Sequence, residues 1–206
     1  SAASDVYKRQ LQEYPMPVRP KLESPEPKDI LFYKEGPPVP FSLIPRGVYP
    51  AVTQISPKAL AEKGVRLVLA DLDNTLVPYK ETEPTRAVRT WKDALAAEGI
   101  TLFLLSNSRK PGRPHGFAQK LDIPCIGHAG KPKREGFFRA MERMGVTPDQ
   151  TVMVGDQIFT DVLGANRSGV TPLLVKPIRL AGNPGRYIRS AVEPPFRLLG
   201  RWRPFV

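Results

Sequence analysis

Four groups of polar residues in this sequence combine side chains that handle anions and metal ions. They are segment 71–76 (DLDNTL), segment 106–108 (SNS), the pair Lys131–Pro132 and segment 155–161 (GDQIFTD). Carboxylate oxygens are the hard ligands that Mg²⁺ prefers, and a lysine offers positive charge to a bound anion. The residue types therefore predict a site at which a metal ion, an anionic ligand and acid–base chemistry come together.

The pattern around these groups predicts a scaffold that would bring them together. Apolar runs of the buried-strand type lie at 66–71, 100–105, 123–126, 151–154 and 171–175, and helical patterns lie at 57–63, 84–98, 116–121, 133–144 and 159–167. Because strands alternate with helices and show no polar face, a parallel five-stranded sheet between helical layers is expected. Ligands bind at the carboxyl ends of such strands, where these polar groups should gather.

The order of the four groups and the residues in them resemble the four motifs of the haloacid dehalogenase (HAD) superfamily of phosphotransferases. Over roughly residues 41–177 the chain looks like the YqeG-type branch of subfamily IIIA, which includes phosphatidylglycerophosphate phosphatases. The narrower resemblance is carried by 71–77 (DLDNTLV), Lys131–Pro132 and 155–167 (GDQIFTDVLGANR). It implies a Rossmannoid three-layer α/β/α fold and a Mg²⁺-dependent phosphatase, that is, a phosphoric monoester hydrolase.

The resemblance implies catalytic roles for two acids. Asp71 is expected to attack phosphorus and form an aspartyl-phosphate, which divides a difficult hydrolysis into two easier steps. Asp73 is expected to protonate the leaving oxygen and then to activate the water that cleaves the intermediate. Two acids at this spacing can do different jobs because only one of them needs to hold a proton.

The same resemblance implies a set of metal ligands. Mg²⁺ would be held by the side chains of Asp71 and Asp156 and by the backbone carbonyl of Asp73, and it would retain several waters. Asp161 would lie behind these ligands or hold a metal-bound water. Alternatively, Asp161 is an acid early in a helix that complements the macrodipole.

Three further residues are expected to bind the phosphoryl group. The Ser106 hydroxyl and the backbone N–H of Asn107 would donate to phosphoryl oxygens. Lys131 would pair with the same oxygens and with Asp71. Phosphoryl transfer depends mainly on such positioning and charge stabilisation.

The spacing of the motifs leaves no room for a cap domain. Only 29 residues separate Leu76 from Ser106, and 23 separate Asn107 from Lys131. Neither interval can hold an additional domain, so we expect an open site. An open site suits a substrate whose bulk lies elsewhere, such as a protein, a nucleic-acid end or a lipid headgroup.

Composition divides the 206 residues into three parts. Residues 1–45 form a proline-rich irregular arm with nine of the 24 prolines, 46–178 form the HAD-like phosphatase domain, and 179–206 form a basic tail. The last 31 residues carry +6 of the net charge of +11. Basic residues interleaved with aromatic ones predict contact with an anionic membrane surface; the alternative is a solvated tail that packs partly on the domain.

Other residues with reactive or charged side chains include one cysteine, two histidines and a group of basic residues. Cys125 lies in an apolar run and is expected to be a buried, reduced thiol. Surface or loop positions are expected for His115 and His128; alternatively, His128 lines the site, since it is close to Lys131 in sequence. The basic residues after the second motif form either a solvated loop or a contact with substrate phosphate: Arg109, Lys110 and Arg113. No apolar run of 18 or more residues is present, so a cytoplasmic protein with optional peripheral contact with the inner membrane face is expected.

The leading interpretation is a phosphomonoesterase that converts phosphatidylglycerophosphate to phosphatidylglycerol. A second enzyme hypothesis is a capless phosphatase for soluble sugar or nucleotide phosphates. A hypothesis of a different class is a basic module that binds RNA or another anion on the same fold, but the intact acids at Asp71 and Asp73 argue against it and against a nucleic-acid partner.

Overall fold

A single parallel sheet organises the structure, a computed structural model that describes residues 41–108, 110, 112–179 and 205. Its strands are β1 (Gly47–Tyr49), β2 (Leu67–Ala70), β3 (Thr101–Leu105), β4 (Cys125–Ile126), β5 (Thr151–Gly155) and β6 (Thr171–Val175). Their order is β1-β6-β5-β2-β3-β4, and all pairs are parallel. The α/β architecture with a parallel sheet is confirmed, and β2, the strand that precedes Asp71, lies near the centre.

The predicted number of strands was wrong, since the sheet has six strands rather than five. The additional strand, β1, is three residues long and lies at the edge beside β6, where Gly47 pairs with Leu173. Prolines at 45 and 50 flank it. So short a segment has no detectable periodicity, and its pairing depends on a strand more than 120 residues away.

Helices cover both faces of the sheet. They are α1 (Pro57–Glu62), α2 (Arg86–Ala97), α3 (Arg113–Leu121), α4 (Glu135–Met144) and α5 (Leu163–Arg167). One buried cluster joins α1, α2 and α3 to the sheet, with Trp91 and Phe117 among its members. A second cluster joins α4 and α5 to the opposite face, with Phe103 and Phe137 among its members. The three-layer arrangement follows from these two cores.

Local signals explain where several helices begin. The Ser56 side chain accepts from Ala59 N at 3.2 Å and caps α1, as the Ser–Pro pair predicted. The Thr85 side chain caps α2 by accepting from Val88 N at 3.2 Å. This helix therefore begins at Arg86, two residues after the predicted start at Pro84. The helix predicted over 116–121 begins at Arg113 instead, a difference that bears on the active site.

The segment predicted as one helix over 159–167 is divided. It begins with a π-helical turn at Ile158–Val162 and continues as α5. In this turn the N–H of Val162 donates to the Gln157 carbonyl at 3.3 Å. Such turns are rare and occur often at functional sites, and this one carries Asp161.

The connections around the motifs are as short as the sequence predicted. In the part of the chain that the structure describes, α2 is the only helix between β2 and β3, and α3 is the only helix between β3 and β4. No inserted domain covers the carboxyl ends of the strands there. None of the described helices has the length and apolar character needed to cross a bilayer.

Parts of the arm and the tail lie outside the described residues. At the start of the described chain, the Asn166 side chain donates to the carbonyls of Ser42 and Ile44 at 2.9 and 3.3 Å. Near its end, Phe205 packs against the first core cluster with Lys63 Nζ 5.1 Å from its ring centre. The predictions for residues 1–40, Arg109 and most of the tail concern residues that are not described.

Candidate active site

Asp71 and Lys131 form the centre of the site. Asp71 follows β2 at the carboxyl edge of the sheet, and its Oδ1 accepts from Lys131 Nζ at 2.7 Å. Lys131 Nζ also lies 2.7 Å from Asp161 Oδ1. The side chains of all three residues are at most 8% exposed. The structure thus brings together one lysine and two acids that the sequence had assigned to separate motifs.

A third acid completes a cluster suited to a metal ion. Asp71, Asp156 and Asp161 each place a carboxylate oxygen within 4.8 Å of the others, and all three are buried. The Thr75 hydroxyl donates to Asp156 Oδ1 at 3.4 Å. Three carboxylates and the Lys131 ammonium leave two negative charges in a buried site, which is unfavourable without a further cation. The donor set and its charge therefore fit a divalent ion with hard oxygen ligands.

The mutual influence of these charges appears in their pKa values. Burial alone would lower the pKa of Lys131, but Asp161 and Asp71 outweigh it and raise the pKa above its ordinary value. Burial raises the pKa of Asp161, an effect that Lys131 partly offsets and that the negative charge of Asp71 reinforces. A bound cation would favour the ionised form of this carboxyl group.

Asp161 is held in place by its own turn and by a glycine. Its Oδ2 accepts from the N–H of Gln157 at 3.1 Å, and the π-helical turn points the carboxylate inward to Lys131. A Cβ atom at Gly155 would lie 2.2 Å from Asp161 Oδ2. The fourth motif therefore needs glycine at 155 because the Asp161 carboxylate occupies the space of any larger side chain.

Asp73 lies apart from the metal cluster and has a different partner. Its Oδ1 accepts from Arg113 Nη2 at 2.8 Å and from Arg113 Nε at 3.1 Å. Burial raises the pKa of Asp73, the hydrogen bond from Arg113 lowers it, and the charge of Asp71 raises it, with a net shift upward. A raised pKa suits an acid that must hold a proton, and the different surroundings of Asp71 and Asp73 agree with different roles.

The position of Arg113 corrects the sequence analysis. A solvated basic loop was one expectation, and for Arg113 it is wrong, because the side chain is 6% exposed and binds Asp73. The alternative, contact of the basic residues with substrate phosphate, stays a prediction. Its neighbour Lys110 is exposed, with Nζ 4.1 Å from the centre of the Tyr79 ring. No sequence signal could pair Arg113 with an acid 40 residues earlier.

The second motif is tied to the third through backbone atoms. Asn107 Nδ2 donates to the Lys131 carbonyl at 2.8 Å, and the Lys131 N–H donates to Asn107 Oδ1 at 2.9 Å. This amide pair fixes the backbone from which the Lys131 side chain extends. Ser106 is buried, and its Oγ accepts from the N–H of Ser108 at 3.1 Å. The O–H of Ser106 can therefore still donate a hydrogen bond to a ligand.

A cavity of about 460 Å³ opens beside these residues. It is lined by Asp71, Asn107, Lys131, Pro132, Gln157, Phe159 and Thr160. His115 and His128 are exposed, as predicted, and do not line the cavity. Cys125 is half-buried at the edge strand rather than fully buried as expected, since β4 has a neighbour on one side only.

Comparisons with known proteins agree with this geometry. A family model described as HAD-hyrolase-like matches residues 128–177. The chain is 36% identical over 127 residues to "Probable phosphatase YqeG" of Bacillus subtilis (strain 168), covering 62% of this chain and 73% of that protein. It is 29% identical over 171 residues to "Phosphatidylglycerophosphate phosphatase 1, chloroplastic" of Chlamydomonas reinhardtii, covering 79% of this chain and 63% of that protein.

A solved structure is also similar to the chain. It is the crystal structure of an uncharacterised protein from Listeria monocytogenes serotype 4b, with a TM-score of 0.47 and 17% identity. The superposition covers 60% of this chain and 97% of that one.

The parallel α/β sheet, the buried acid cluster and the sequence relatives define the class of this protein as a phosphoric monoester hydrolase with an acid cluster suited to a divalent metal ion. The chain belongs to the haloacid dehalogenase-like family, among its YqeG-type phosphatases.

Proposed function

We propose that the chain is a Mg²⁺-dependent phosphomonoesterase that acts through an aspartyl-phosphate on Asp71, with residues 46–178 as its catalytic domain. The observation that carries this proposal is the pair of differently held acids at the end of β2. Asp71 is paired with Lys131 inside the acid cluster, and Asp73 is paired with Arg113 outside it.

In the first step, the Asp71 carboxylate attacks phosphorus while the bond from phosphorus to the leaving oxygen breaks. Lys131 holds Asp71 Oδ1, which orients the carboxylate and places positive charge beside the phosphoryl group. Asp73 gives its proton to the leaving oxygen, so that an alcohol departs rather than an alkoxide. The Ser106 hydroxyl and the Asn107 N–H are proposed to donate to the phosphoryl oxygens.

In the second step, Asp73 takes a proton from water as the water oxygen attacks the phosphorus of the aspartyl-phosphate. The bond to the Asp71 oxygen breaks, and inorganic phosphate leaves with Asp71 restored. Asp71, Asp156 and the Asp73 carbonyl would hold Mg²⁺, with Asp161 behind them, and the bound ion would offset the repulsion between the nucleophile and the anionic substrate.

For the substrate, we propose phosphatidylglycerophosphate, with phosphatidylglycerol as the product. The names of two relatives, from Chlamydomonas reinhardtii and Arabidopsis thaliana, support this choice. Two exposed apolar side chains also stand beside the loop that follows Asp71: Tyr79 is 45% exposed, and Ile178, whose N–H donates to the Asn74 carbonyl, is 47% exposed. Neither side chain lines the cavity, but an uncovered site with exposed apolar side chains at the adjoining loop suits a headgroup that stays at a membrane surface.

A phosphate-release panel tests the substrate. It compares phosphatidylglycerophosphate in mixed micelles with soluble sugar phosphates and nucleoside monophosphates at saturating Mg²⁺. An Asp71→Asn preparation corrects for contaminating phosphatases. We expect the lipid to have the highest kcat/KM. A higher kcat/KM for a soluble phosphate would replace the lipid with the soluble class and leave the catalytic assignment in place.

We also propose peripheral membrane contact through the basic tail, 179–206. Near an anionic leaflet each basic residue contributes about 1 kcal/mol to binding, and screening over roughly 8 Å at physiological salt weakens the attraction.

Since Phe205 packs on the domain, the test replaces charged residues of the tail and does not delete the tail. One variant replaces four of the six tail arginines by glutamine: Arg186, Arg189, Arg197 and Arg201. A matched control does the same to exposed basic residues of the domain: Lys58, Arg86, Arg139 and Arg167.

Co-sedimentation with anionic vesicles at low and high salt is the measurement. The tail variant should sediment less than the wild type, and the domain variant should resemble the wild type. Equal losses in the two variants would mean that net charge alone drives binding, and equal sedimentation of all three proteins would remove the tail from the proposal.

A further inference from the structure

The Arg113 side chain makes four hydrogen bonds, and all of them reach the segment that begins with Asp73. Nε and Nη2 donate to Asp73 Oδ1 at 3.1 and 2.8 Å. Nη1 donates to the Glu81 carbonyl at 2.7 Å, and Nη2 also donates to the Pro78 carbonyl at 3.3 Å. The guanidinium group therefore connects both ends of segment 73–81 to the start of α3.

This position is unfavourable for a cation unless a partner compensates. Arg113 is the first residue of α3, where the helix macrodipole disfavours positive charge. Its side chain is almost fully buried, so it also loses hydration. Gly112, at φ 71, turns the chain immediately before it. The Asp73 carboxylate compensates the buried charge of Arg113, and the Pro78 and Glu81 carbonyls accept its remaining hydrogen bonds.

The contacts distinguish between the two oxygens of Asp73. Both hydrogen bonds from the guanidinium go to Oδ1, so Oδ2 is not engaged by Arg113. The backbone around Asp73 is held as well, since Asp73 forms a parallel bridge with Val77 and the Asn74 N–H donates to the Val77 carbonyl at 2.7 Å. One oxygen is anchored, and the other can carry a proton.

We propose that Arg113 is a positioning residue for proton transfer: it holds Asp73 by Oδ1 and leaves Oδ2 to exchange the proton with the leaving oxygen and then with water. This inference rests on the proposed function, in which Asp73 is the general acid and base. Arg113 itself does not touch the phosphoryl group or the metal site in this assignment.

A series of aryl phosphates with different leaving groups tests the proposal. Protonation matters most when the leaving oxygen is strongly basic, and a dinitrophenolate departs without it. For Arg113→Met, we expect kcat/KM to fall by about 100-fold for phenyl phosphate and by less than about threefold for dinitrophenyl phosphate. The plot of log kcat/KM against the pKa of the leaving group should therefore become steeper, a change that a merely structural role would not produce.

Matched variants accompany this measurement. Arg89→Met removes an arginine whose Nη1 donates to the Lys120 carbonyl at 2.6 Å, at the other end of α3, and it should leave the slope unchanged. Arg113→Lys retains the charge but cannot reach Asp73 and two carbonyls at once, so its slope should be intermediate. If Arg113→Met does not fold, the Arg113→Lys slope decides the test.

The Asp73→Asn variant distinguishes the role of Arg113 from the role of Asp73 itself. It should show the steep slope, and adding Arg113→Met to it should cause little further loss, because both changes remove the same function. A steep slope for Asp73→Asn with a wild-type slope for the Arg113 variants would overturn this inference and preserve the proposed function. A wild-type slope for Asp73→Asn would overturn the role of Asp73 itself. Equal losses across all leaving groups in Arg113→Met would show that the arginine only maintains the fold.

Discussion

Asp71 is the residue on which the proposed chemistry depends most directly. Asp71→Asn keeps the shape of the side chain and a hydrogen-bond acceptor for Lys131, but it removes the attacking charge. We expect kcat for nitrophenyl phosphate to fall by about 10⁴- to 10⁶-fold, with an unchanged circular dichroism spectrum. Asp93→Asn, at an exposed position on α2, is the control. Half of the wild-type activity in Asp71→Asn would rule out the covalent mechanism.

Cys125 allows a prediction that is independent of catalysis. Burial raises the pKa of its thiol to about 11, although Arg143 nearby acts in the opposite direction. Since the thiolate is the reactive form, alkylation at pH 8 should be roughly 100-fold slower in the folded protein than in the unfolded chain. Mass spectrometry of iodoacetamide adducts over time measures both rates.

The same shift has a consequence for stability. Above about pH 9 the unfolded thiol ionises while the folded one stays protonated, so the unfolded state binds fewer protons and the folded state loses stability as the pH rises. Native alkylation as fast as that of the denatured chain at pH 8 would contradict the environment described for Cys125.

At the scale of elements, the end of β5 and the π-helical turn form one unit. Gly155→Ala would place a methyl group on Asp161 Oδ2, and the carboxylate must then move away from Lys131. We expect a loss of about 1 to 3 kcal/mol in the free energy of unfolding. A displacement near 1 Å in the site should also lower kcat by about 100-fold. Thermal denaturation and nitrophenyl phosphate turnover measure the two effects.

A second glycine provides the control for this substitution. Gly116 lies inside α3, and a Cβ atom there would meet no atom within 4 Å. Gly116→Ala should therefore stabilise the protein by up to about 1 kcal/mol through helix propensity and leave turnover unchanged. Wild-type activity in Gly155→Ala would mean that the position of Asp161 does not matter for the reaction.

For the whole molecule, metal binding and folding should be coupled. The buried cluster of Asp71, Asp156 and Asp161 has more negative charge than Lys131 can balance. A cation that binds only the folded state stabilises it, by about 2.7 kcal/mol at a concentration 100 times its Kd. We expect the Tm to rise with Mg²⁺ concentration and to return to its lower value in EDTA, together with complete loss of activity.

Asp156→Asn distinguishes this site from general ion effects. It should reduce the rise in Tm and increase the Mg²⁺ concentration required for activity, whereas Asp149→Asn, at an exposed position, should behave as the wild type. An identical Tm in EDTA and in saturating Mg²⁺, or full activity after exhaustive chelation, would exclude the metal role.

The sequence by itself determined the order of the elements and the identity of the reactive groups. Uninterrupted apolar runs between helical patterns are local properties, so the five strands other than β1 and all five helical regions could be located from the sequence. Asp71, Lys131 and Asp156 were found in the same way, because each stands next to an element whose end could be predicted.

Only the tertiary structure decided which of these groups meet. The partners Asp73 and Arg113 are 40 residues apart, and Asn107 and the Lys131 backbone are 24 apart. Pairs of this kind leave no periodicity in the chain, because they depend on the order in which β2, β3 and β4 lie in the sheet. The edge strand β1 was missed for the same reason. Its three residues form a strand only beside β6, so long-range pairing rather than local propensity determines it.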